Sequence, residues 1–322
     1  MTKPTANLHD LGHLTEDEAR AYLEGVRWPN GVACPHCGGT ERNSSLGGES
    51  HRAGLWKCGD CHEQFTVTVG TIMESSHIPL SKWVMAFHMM CSSKKGVSAK
   101  QLERNLGLGS YRTAWHMAHR IRLAMREEPL VSMLSGTVEA DETYIGGKKR
   151  KGTRRVGRPS PKDKVPVLAL VERKGRVRVR AVPNVTSKTL KRVIREECHP
   201  STRLMTDEYA SYRKVGRELA SHETVCHSAG EYARGDVHTN TVEGFFAILK
   251  RGVNGTFHSV SRQHLQRYLD EFSFRYNHRW VEDDARTEEA IRSGDGKRLM
   301  YRDSSRPGGP YRSRLGGLCP GV

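Results

Sequence analysis

Over the first 130 residues, most apolar side chains recur at the spacing of helices. Thr15 and Glu18 form a capping-box pattern ahead of residues 19–26, and this pattern predicts a short N-terminal helix. Between residues 80 and 91, the apolar positions 80, 83, 84, 87 and 90 have the spacing of one helix face. These two stretches predict helices on either side of a cysteine-rich segment.

Two further helices are predicted over 98–106 and from Ser110 onward, separated by a glycine-containing turn at 107–109. The second of them has an apolar stripe of Ala114, Ala118, Ile121 and Met125. We expect four residues to face outward from it: Arg112, His116, His119 and Arg120. A basic helix after a helix and a tight turn indicates a helix-turn-helix that binds DNA. A helical hairpin with solvated arginines is the alternative.

From residue 136 onward the pattern changes to strands. Strands are predicted over 137–145, 165–171, 176–182 and 202–206, and helices over 186–198, 239–251 and 261–279. The segment 148–164 holds nine basic residues and one acidic residue, which indicates a basic loop that contacts phosphate or is disordered. Its Gly157-Arg158-Pro159 is only a partial AT-hook, because Val156 stands where that pattern requires Arg.

The charge balance narrows the class of partner. The chain has 52 Lys and Arg against 36 Asp and Glu, a formal net charge of +16. A protein this basic is attracted to polyanions, of which nucleic acid is the most abundant in a cell. No run of eighteen apolar residues and no export signal occurs in the sequence, so we expect a cytoplasmic, nucleoid-associated protein.

Four of the eight cysteines form two C-x-x-C pairs, Cys34 with Cys37 and Cys58 with Cys61. In a reducing compartment, two such pairs about twenty residues apart indicate one structural Zn²⁺ with four sulfur ligands. Covalent haem attachment through the C-x-x-C-H sequence that ends at His62, and a thioredoxin-like redox pair, are less favoured alternatives. Short strands around Trp56 and over 65–69 then predict a zinc ribbon.

Acidic residues lie on several separate predicted elements of the second half. Asp141 is central in the first strand, Asp207 follows a later strand, and Glu243 lies on a late helix with Lys250 two turns further along. Carboxylates that converge from separate elements can hold two Mg²⁺ or Mn²⁺ ions about 3.5–4 Å apart for phosphodiester chemistry. The alternatives are that Asp207 caps a helix and that Asn240 and Glu243 are a capping pair.

Three stretches of this region resemble the DDE transposases of bacterial insertion sequences, in the zinc-ribbon-bearing ISXO-like subgroup. They are VEADETYIGG at 138–147, LMTDEYASY at 204–212 and HTNTVEGFFAILKRG at 238–252. The cysteine-rich segment and the GTIM sequence at 70–73 resemble the N-terminal region of that subgroup. The resemblance extends over about 250 residues in the same order.

The resemblance implies a mixed α+β fold in which a zinc ribbon and a helix-turn-helix-like region precede an RNase H-like mixed sheet flanked by helices. It assigns Asp141, Asp207 and Glu243 as ligands of the two Mg²⁺ (or Mn²⁺) ions and Lys250 as the basic residue of the last stretch. Asn240 is the alternative to Glu243 as third ligand. We expect Arg251, which is adjacent to Lys250, to contact DNA as well.

The same resemblance implies a transposase that cleaves DNA hydrolytically at the ends of its element and transfers the 3′-OH into target DNA. Its partner would be double-stranded DNA, both the terminal inverted repeats and the target, and pairing of two ends implies a homodimer or larger assembly. A catalytically inactive DNA-binding regulator and an RNase H-like nuclease or resolvase remain alternatives.

These inferences predict five regions along the chain. They are an N-terminal helix (1–30), a four-cysteine zinc ribbon (31–72), a helical DNA-binding region (73–130), an RNase H-like catalytic domain (131–282) and a basic, disordered tail (283–322).

Overall fold

The computed structural model describes residues 8–127, 132–146, 164–213 and 215–304. The basic loop predicted at 148–164 therefore lies outside the described residues, apart from Lys164. The described residues fall into two units. One is formed by the residues up to 93, by 97–126 and by 281–304, and the other by 94–96 and the residues from 127 to 280.

The helices of the described residues are, in chain order, α1 (Leu8–Gly12), α2 (Glu16–Arg27), α3 (Leu80–Ser92), α4 (Ala99–Asn105), α5 (Tyr111–Ala124), α6 (Ser187–Glu197), α7 (Asn240–Arg251), α8 (Leu265–Asn277), α9 (Asp283–Arg292) and α10 (Tyr301–Ser304). The strands are β1 (Asn43–Leu46), β2 (Leu55–Cys58), β3 (Gln64–Phe65), β4 (Thr137–Gly146), β5 (Lys164–Glu172), β6 (Val177–Ala181), β7 (Arg203–Thr206), β8 (Ser221–Thr224), β9 (Ala233–Arg234) and β10 (Val237–His238). Within these ranges, no helix is long and apolar enough to span a membrane.

The capping box predicted for the N-terminal helix is confirmed at the start of α2. The Thr15 N–H donates to the Glu18 carboxylate at 2.8 Å, and the Glu18 N–H donates to Thr15 Oγ1 at 3.3 Å. Both bonds satisfy groups that a helix N-terminus leaves without an intrahelical partner. The inner face of α2 buries Ala19 and Leu23 completely.

The cysteine-rich segment forms a three-stranded antiparallel sheet in the order β1-β2-β3. Trp56 lies in β2 as predicted, but the strand expected over 65–69 is only the two-residue β3, and residues 67–70 form a turn. Trp28 packs edge-on against Phe65, with ring centroids 5.9 Å apart. The ribbon therefore has a small aromatic core of its own.

The helix pair predicted after residue 98 is confirmed. Ser98 accepts the Gln101 N–H at the start of α4, and Ser110 accepts the Thr113 N–H at the start of α5, both at 3.1 Å. Gly107 takes a left-handed backbone conformation (φ +55°) in the turn between them. The stripe predicted for α5, Ala114, Ala118, Ile121 and Met125, is buried.

The predicted outward face of α5 is partly wrong, because His119 and Arg120 are buried. The Arg120 guanidinium lies over the Trp83 ring, 5.3 Å from its centroid, and donates to the Glu74 carbonyl. Arg112 is exposed and His116 is half-buried. The reason is that α3, α9 and α10 also pack against α5, so more than one face of this helix is covered.

The tail predicted as disordered from residue 283 is ordered through residue 304. Within its unit, α9 packs against α2 and α3, and Asp295 accepts a bond from Arg27 at 2.7 Å. Lys297 is buried, and its Nζ donates to the Ala124 and Arg126 carbonyls at 3.2 and 2.6 Å. The high Gly, Arg and Ser content predicted disorder, but these long-range contacts hold residues 283–304 in an ordered conformation. Residues 305–322 lie outside the described part of the chain.

The second unit contains a five-stranded sheet in the order β6-β5-β4-β7-β8. Strands β4, β5 and β6 pair antiparallel, whereas β7 runs parallel to β4 and β8 parallel to β7. Alternate residues of β5 point to opposite faces: Val167 joins the core beneath α7 and α8, and Leu168 joins the core beneath α6. This strand order with helices on both faces is the RNase H-like fold, as predicted.

Candidate active site and zinc centre

The two cysteine pairs converge on one point. The four sulfurs of Cys34, Cys37, Cys58 and Cys61 lie within 4.8 Å of one another, and no other set of three or more Cys, His, Asp or Glu ligands does so among the described residues. The Sγ atoms of Cys34 and Cys61 are 3.6 Å apart, as are those of Cys37 and Cys58. Neither His36 nor His51 nor His62 belongs to this cluster. Four sulfurs at one point fit the tetrahedral coordination of Zn²⁺.

The proton affinities of the sulfurs also fit a bound cation. The backbone N–H groups of Cys61 and Asp60 lower the pKa of the Cys58 thiol to about 7. The Glu63 N–H lowers the pKa of Cys61, yet desolvation and the neighbouring sulfurs raise that pKa overall to about 12. A thiol must lose its proton to bind Zn²⁺, and the lowered pKa of Cys58 favours that loss.

In the second unit, Asp141 and Asp207 lie on neighbouring parallel strands. Glu139 of β4 pairs with Met205 of β7. Two residues further along, the same register places Asp141 across from Asp207, just beyond the end of β7. Neighbouring strands are about 4.8 Å apart, so the two carboxylates project from adjacent positions, where β7 ends beside the middle of β4.

Glu243 joins them from α7, one turn after the start of this helix. Its Oε1 accepts the Thr239 hydroxyl at 2.8 Å, and half of its side chain is exposed. The negative charges of Glu142, Asp207 and Glu243 all raise the pKa of Asp141, so the three carboxylates lie within electrostatic range of it.

The electrostatics of this site are unfavourable for the protein without a cation. Burial, followed by repulsion from the neighbouring carboxylates, raises the pKa of Asp141 to about 7. Burial and Glu208 raise the pKa of Asp207 as well. Acidic oxygen ligands with raised pKa values match the preference of Mg²⁺ and Mn²⁺ for hard oxygen donors. The donor set therefore fits a divalent cation, although the carboxylates are not gathered as tightly as the cysteines.

Glu139, on the same face of β4 as Asp141, has a different environment, because it is fully buried. Its carboxylate accepts the backbone N–H groups of Thr241 and Val242 at 2.7 and 3.1 Å. It also accepts Arg173 Nε at 2.6 Å and lies 3.2 Å from His238 Nδ1. Glu139 therefore attaches the first turn of α7 to the central strand.

Glu142 points to the opposite face of β4, as its position in the strand predicts. Its Oε2 accepts the hydroxyl of the buried Tyr212 at 2.7 Å. Desolvation raises the pKa of Glu142, although the bond from Tyr212 lowers it.

A loop that the sequence did not single out borders the acids. The Glu208 carboxylate accepts the backbone N–H groups of His227 and Ser228 at 2.9 and 3.0 Å. His227 Nε2 lies 3.7 Å from Glu243 Oε1 and 3.3 Å from Thr239 Oγ1. The sequence pattern did not indicate a role for His227, because apolar residues do not recur at a regular spacing in this loop.

The other residues of the predicted site lie on the exposed side of α7. Asn240 is its first residue, and Lys250 and Arg251 lie in its last turn, all three exposed. Lys250 Nζ is 5.9 Å from the centroid of the Phe246 ring. Asn240, Glu243 and Lys250 lie at intervals of three and seven residues, so they follow one side of the helix.

Comparison with known proteins agrees with this architecture. Residues 133–277 match the family model of the ISXO2-like transposase domain, and residues 14–64 match that of the transposase zinc-ribbon domain. A protein described as uncharacterized, in transposable element ISH50 of Halobacterium salinarum, is 30% identical over 276 residues, which cover 81% of this chain and 91% of that protein. An uncharacterized transposase-like protein of Haemophilus influenzae is 32% identical over 96 residues, 30% of this chain and 76% of that protein.

Among solved structures, the Mos1 transposase paired-end complex with the left transposon end covers 66% of this chain and 74% of its own, at 14% identity and a TM-score of 0.27. The RNase H-like sheet, the four-cysteine ribbon and the sequence matches define a DDE-type transposase of an insertion sequence. Within that class, the chain belongs to the ISXO2-like transposase family. The predicted resemblance is thereby confirmed.

Proposed function

We propose that this protein cleaves a DNA strand at each end of its element by hydrolysis and joins the released 3′-OH to target DNA. The observation that supports this proposal is the group of acids from β4, the end of β7 and α7, whose mutual repulsion contributes to the raised pKa of Asp141. Such a concentration of negative charge destabilises the protein without cations, and catalysis of phosphodiester chemistry by divalent ions accounts for it.

Asp141, Asp207 and Glu243 would hold two Mg²⁺ or Mn²⁺ ions. Asn240, one turn before Glu243, would be the alternative third ligand. The electrostatic effect of Glu243 on Asp141 favours Glu243. When bound, such ions polarise phosphoryl oxygens and lower the pKa of water.

The chain's own residues position the DNA strand. Lys250 and Arg251 are exposed in the last turn of α7, two turns from Glu243, where they would contact phosphates on either side of the reacting bond. The anchoring of α7 by Glu139 keeps Glu243 and Lys250 in a fixed relation to Asp141 on β4.

The first unit would recognise the terminal repeats through the ribbon and the α4–α5 pair. The first turn of α5 is its exposed part and includes Arg112, and His116 follows one turn later. In a helix-turn-helix, the N-terminal residues of the second helix contact the bases, so partial burial of α5 still permits this role. We further propose that the protein acts at the nucleoid as a homodimer or larger assembly, because two ends must be paired.

The test compares wild type with Asp207→Asn on DNA that carries the gene and its flanks, in buffer with Mg²⁺. Glu196→Gln, an exposed acid on α6, is the matched control for the change from carboxylate to amide. We expect cleavage at the borders and joined products with wild type and the control, and loss of both with Asp207→Asn. Cleavage without joining would indicate a nuclease or resolvase. Binding without cleavage in every variant would contradict the proposal and indicate a DNA-binding regulator.

A further inference from the structure

Three exposed tyrosines lie on the segments that carry or border the acids. The side chains of Tyr144, Tyr209 and Tyr232 are 44%, 39% and 64% exposed. They come from three separate elements: the end of β4, the turn after β7 and the loop before β9. We refer to these residues as the tyrosine rim.

Two members of the tyrosine rim lie on the Glu142 side of the acids. Tyr209 follows Asp207 by two residues, and its N–H donates to Asp207 Oδ1 at 3.0 Å. Tyr144 follows Glu142 by two residues in β4 and therefore projects from the same face of that strand. Tyr209 packs edge-on against the buried Tyr212, with centroids 6.3 Å apart. This contact steadies the ring and leaves much of it exposed to solvent.

The third member lies on the Glu243 side. The Tyr232 ring centroid is 5.3 Å from that of His227, and His227 Nε2 is 3.7 Å from Glu243 Oε1. Glu208 holds the backbone of this loop, and the Cys226 N–H donates to Glu231 Oε2 at 3.2 Å. The loop that carries Tyr232 is therefore anchored close to the acids.

We infer that the tyrosine rim stacks against unpaired nucleobases on both sides of the phosphate that reacts at the acids. This inference rests on the proposed function and specifies the form of its substrate. Aromatic rings bind the faces of all four bases without sequence preference, but bases inside a duplex have no free face. The strand at the site must then be locally unpaired, with its phosphates toward the acids and its bases toward the tyrosines.

The first experiment measures binding by fluorescence anisotropy, without Mg²⁺ and without chelator. The probes are a 20-nucleotide single strand of mixed sequence and the duplex of the same sequence. Replacing Tyr144, Tyr209 and Tyr232 together by Ala should weaken single-strand binding at least tenfold and duplex binding less than about twofold. The triple Phe variant, which keeps the ring faces, should bind both probes as wild type does.

The control is Trp280→Ala, which removes an indole that is 78% exposed. Trp280 follows Arg279, whose guanidinium donates to the Gly175 carbonyl in the hairpin between β5 and β6. This hairpin is at the end of the sheet where β4 begins, away from Asp207. The control variant should bind the single strand as wild type does. Circular dichroism would verify that every variant is folded.

Three results would overturn the inference: no change in the triple Ala variant, an equal loss of duplex and single-strand binding, or a loss in the Phe variant as large as in the Ala variant. Because binding is measured without Mg²⁺, it is independent of catalysis. Tyrosine-dependent single-strand binding in a protein that never cleaves DNA would support the rim and contradict the proposed function. Cleavage of DNA by wild type, together with normal single-strand binding by the triple Ala variant, would support the proposed function and contradict the tyrosine rim.

Discussion

Asp141 shows how a side chain that we propose to bind a cation differs from a stabilising one. Its carboxylate is partly withdrawn from water and surrounded by Glu142, Asp207 and Glu243, all of which raise its pKa. A carboxylate that only stabilised the fold would have cationic or hydrogen-bond-donating partners and a lowered pKa. Glu208 is such a residue, because the backbone N–H groups around it lower its pKa to about 2. The pKa values of these two acids are thus shifted in opposite directions.

We predict that Asp141→Asn stabilises the protein in metal-free buffer. The folded pKa of about 7 lies above the ordinary 3.8, so stability is lost as the pH rises from about 4 through about 7. Asn cannot ionise, so its advantage should grow over that range and stay constant above it. We expect about 1–3 kcal/mol at pH 8, since solvent screens part of the shift. Urea unfolding at several pH values, with Glu196→Gln as control, measures this difference. A variant less stable than wild type at every pH would contradict it.

At the scale of elements, the helices and strands follow from the sequence much better than the environment of single side chains does. The predicted bounds of α2, α3 and β4 agree with the structure within a few residues, because periodicity and capping are local properties. Burial of Glu139 could not be predicted, because it shares a strand face with Asp141 and the pattern treats them alike. His119 and Arg120 were placed wrongly for a similar reason: periodicity identifies one buried face of α5 and gives no sign of a second.

The contacts of Glu139 predict how the start of α7 responds to a substitution at this residue. Glu139→Gln should lower the free energy of unfolding by about 1.5–3 kcal/mol, because the partly buried Arg173 guanidinium loses its ionic partner. In the folded variant, hydrogen exchange of the Thr241 and Val242 amides should accelerate, while the amides of α8 keep their protection. The rate of DNA cleavage by this variant should fall as well, because the first turn of α7 is then less ordered.

The matched control for that change is Glu197→Gln. Glu197 is also buried and also paired with an arginine, Arg180, but it lies on α6 against the other face of the sheet. This control should lose stability without faster exchange at Thr241 and Val242. Equal exchange in the two variants would show that Glu139 contributes only to general stability.

At the scale of the whole molecule, the described chain forms two compact units. The first joins the ribbon and α1–α5 with residues 281–304, and the second is built around the five-stranded sheet. The sequence indicated both architectures through cysteine spacing and strand pattern. It did not reveal the return of residues 283–304 to the first unit, because that return depends on single long-range bonds such as those of Lys297.

Because the ribbon and the five-stranded sheet belong to different units, we expect them to respond separately to the loss of zinc. The ribbon's short strands, of four, four and two residues, bury too little apolar surface to fold without a metal ion, so its stability should depend on Zn²⁺. Removal of zinc with a chelator, or Cys37→Ser, should accelerate hydrogen exchange in β1 and β2 and leave β5 and α7 unchanged. The released metal should amount to about one ion per chain. Cys226→Ser, which alters a cysteine outside the cluster, should retain the ion. Unfolding of β5 and α7 together with the ribbon would show instead that the two units fold as one.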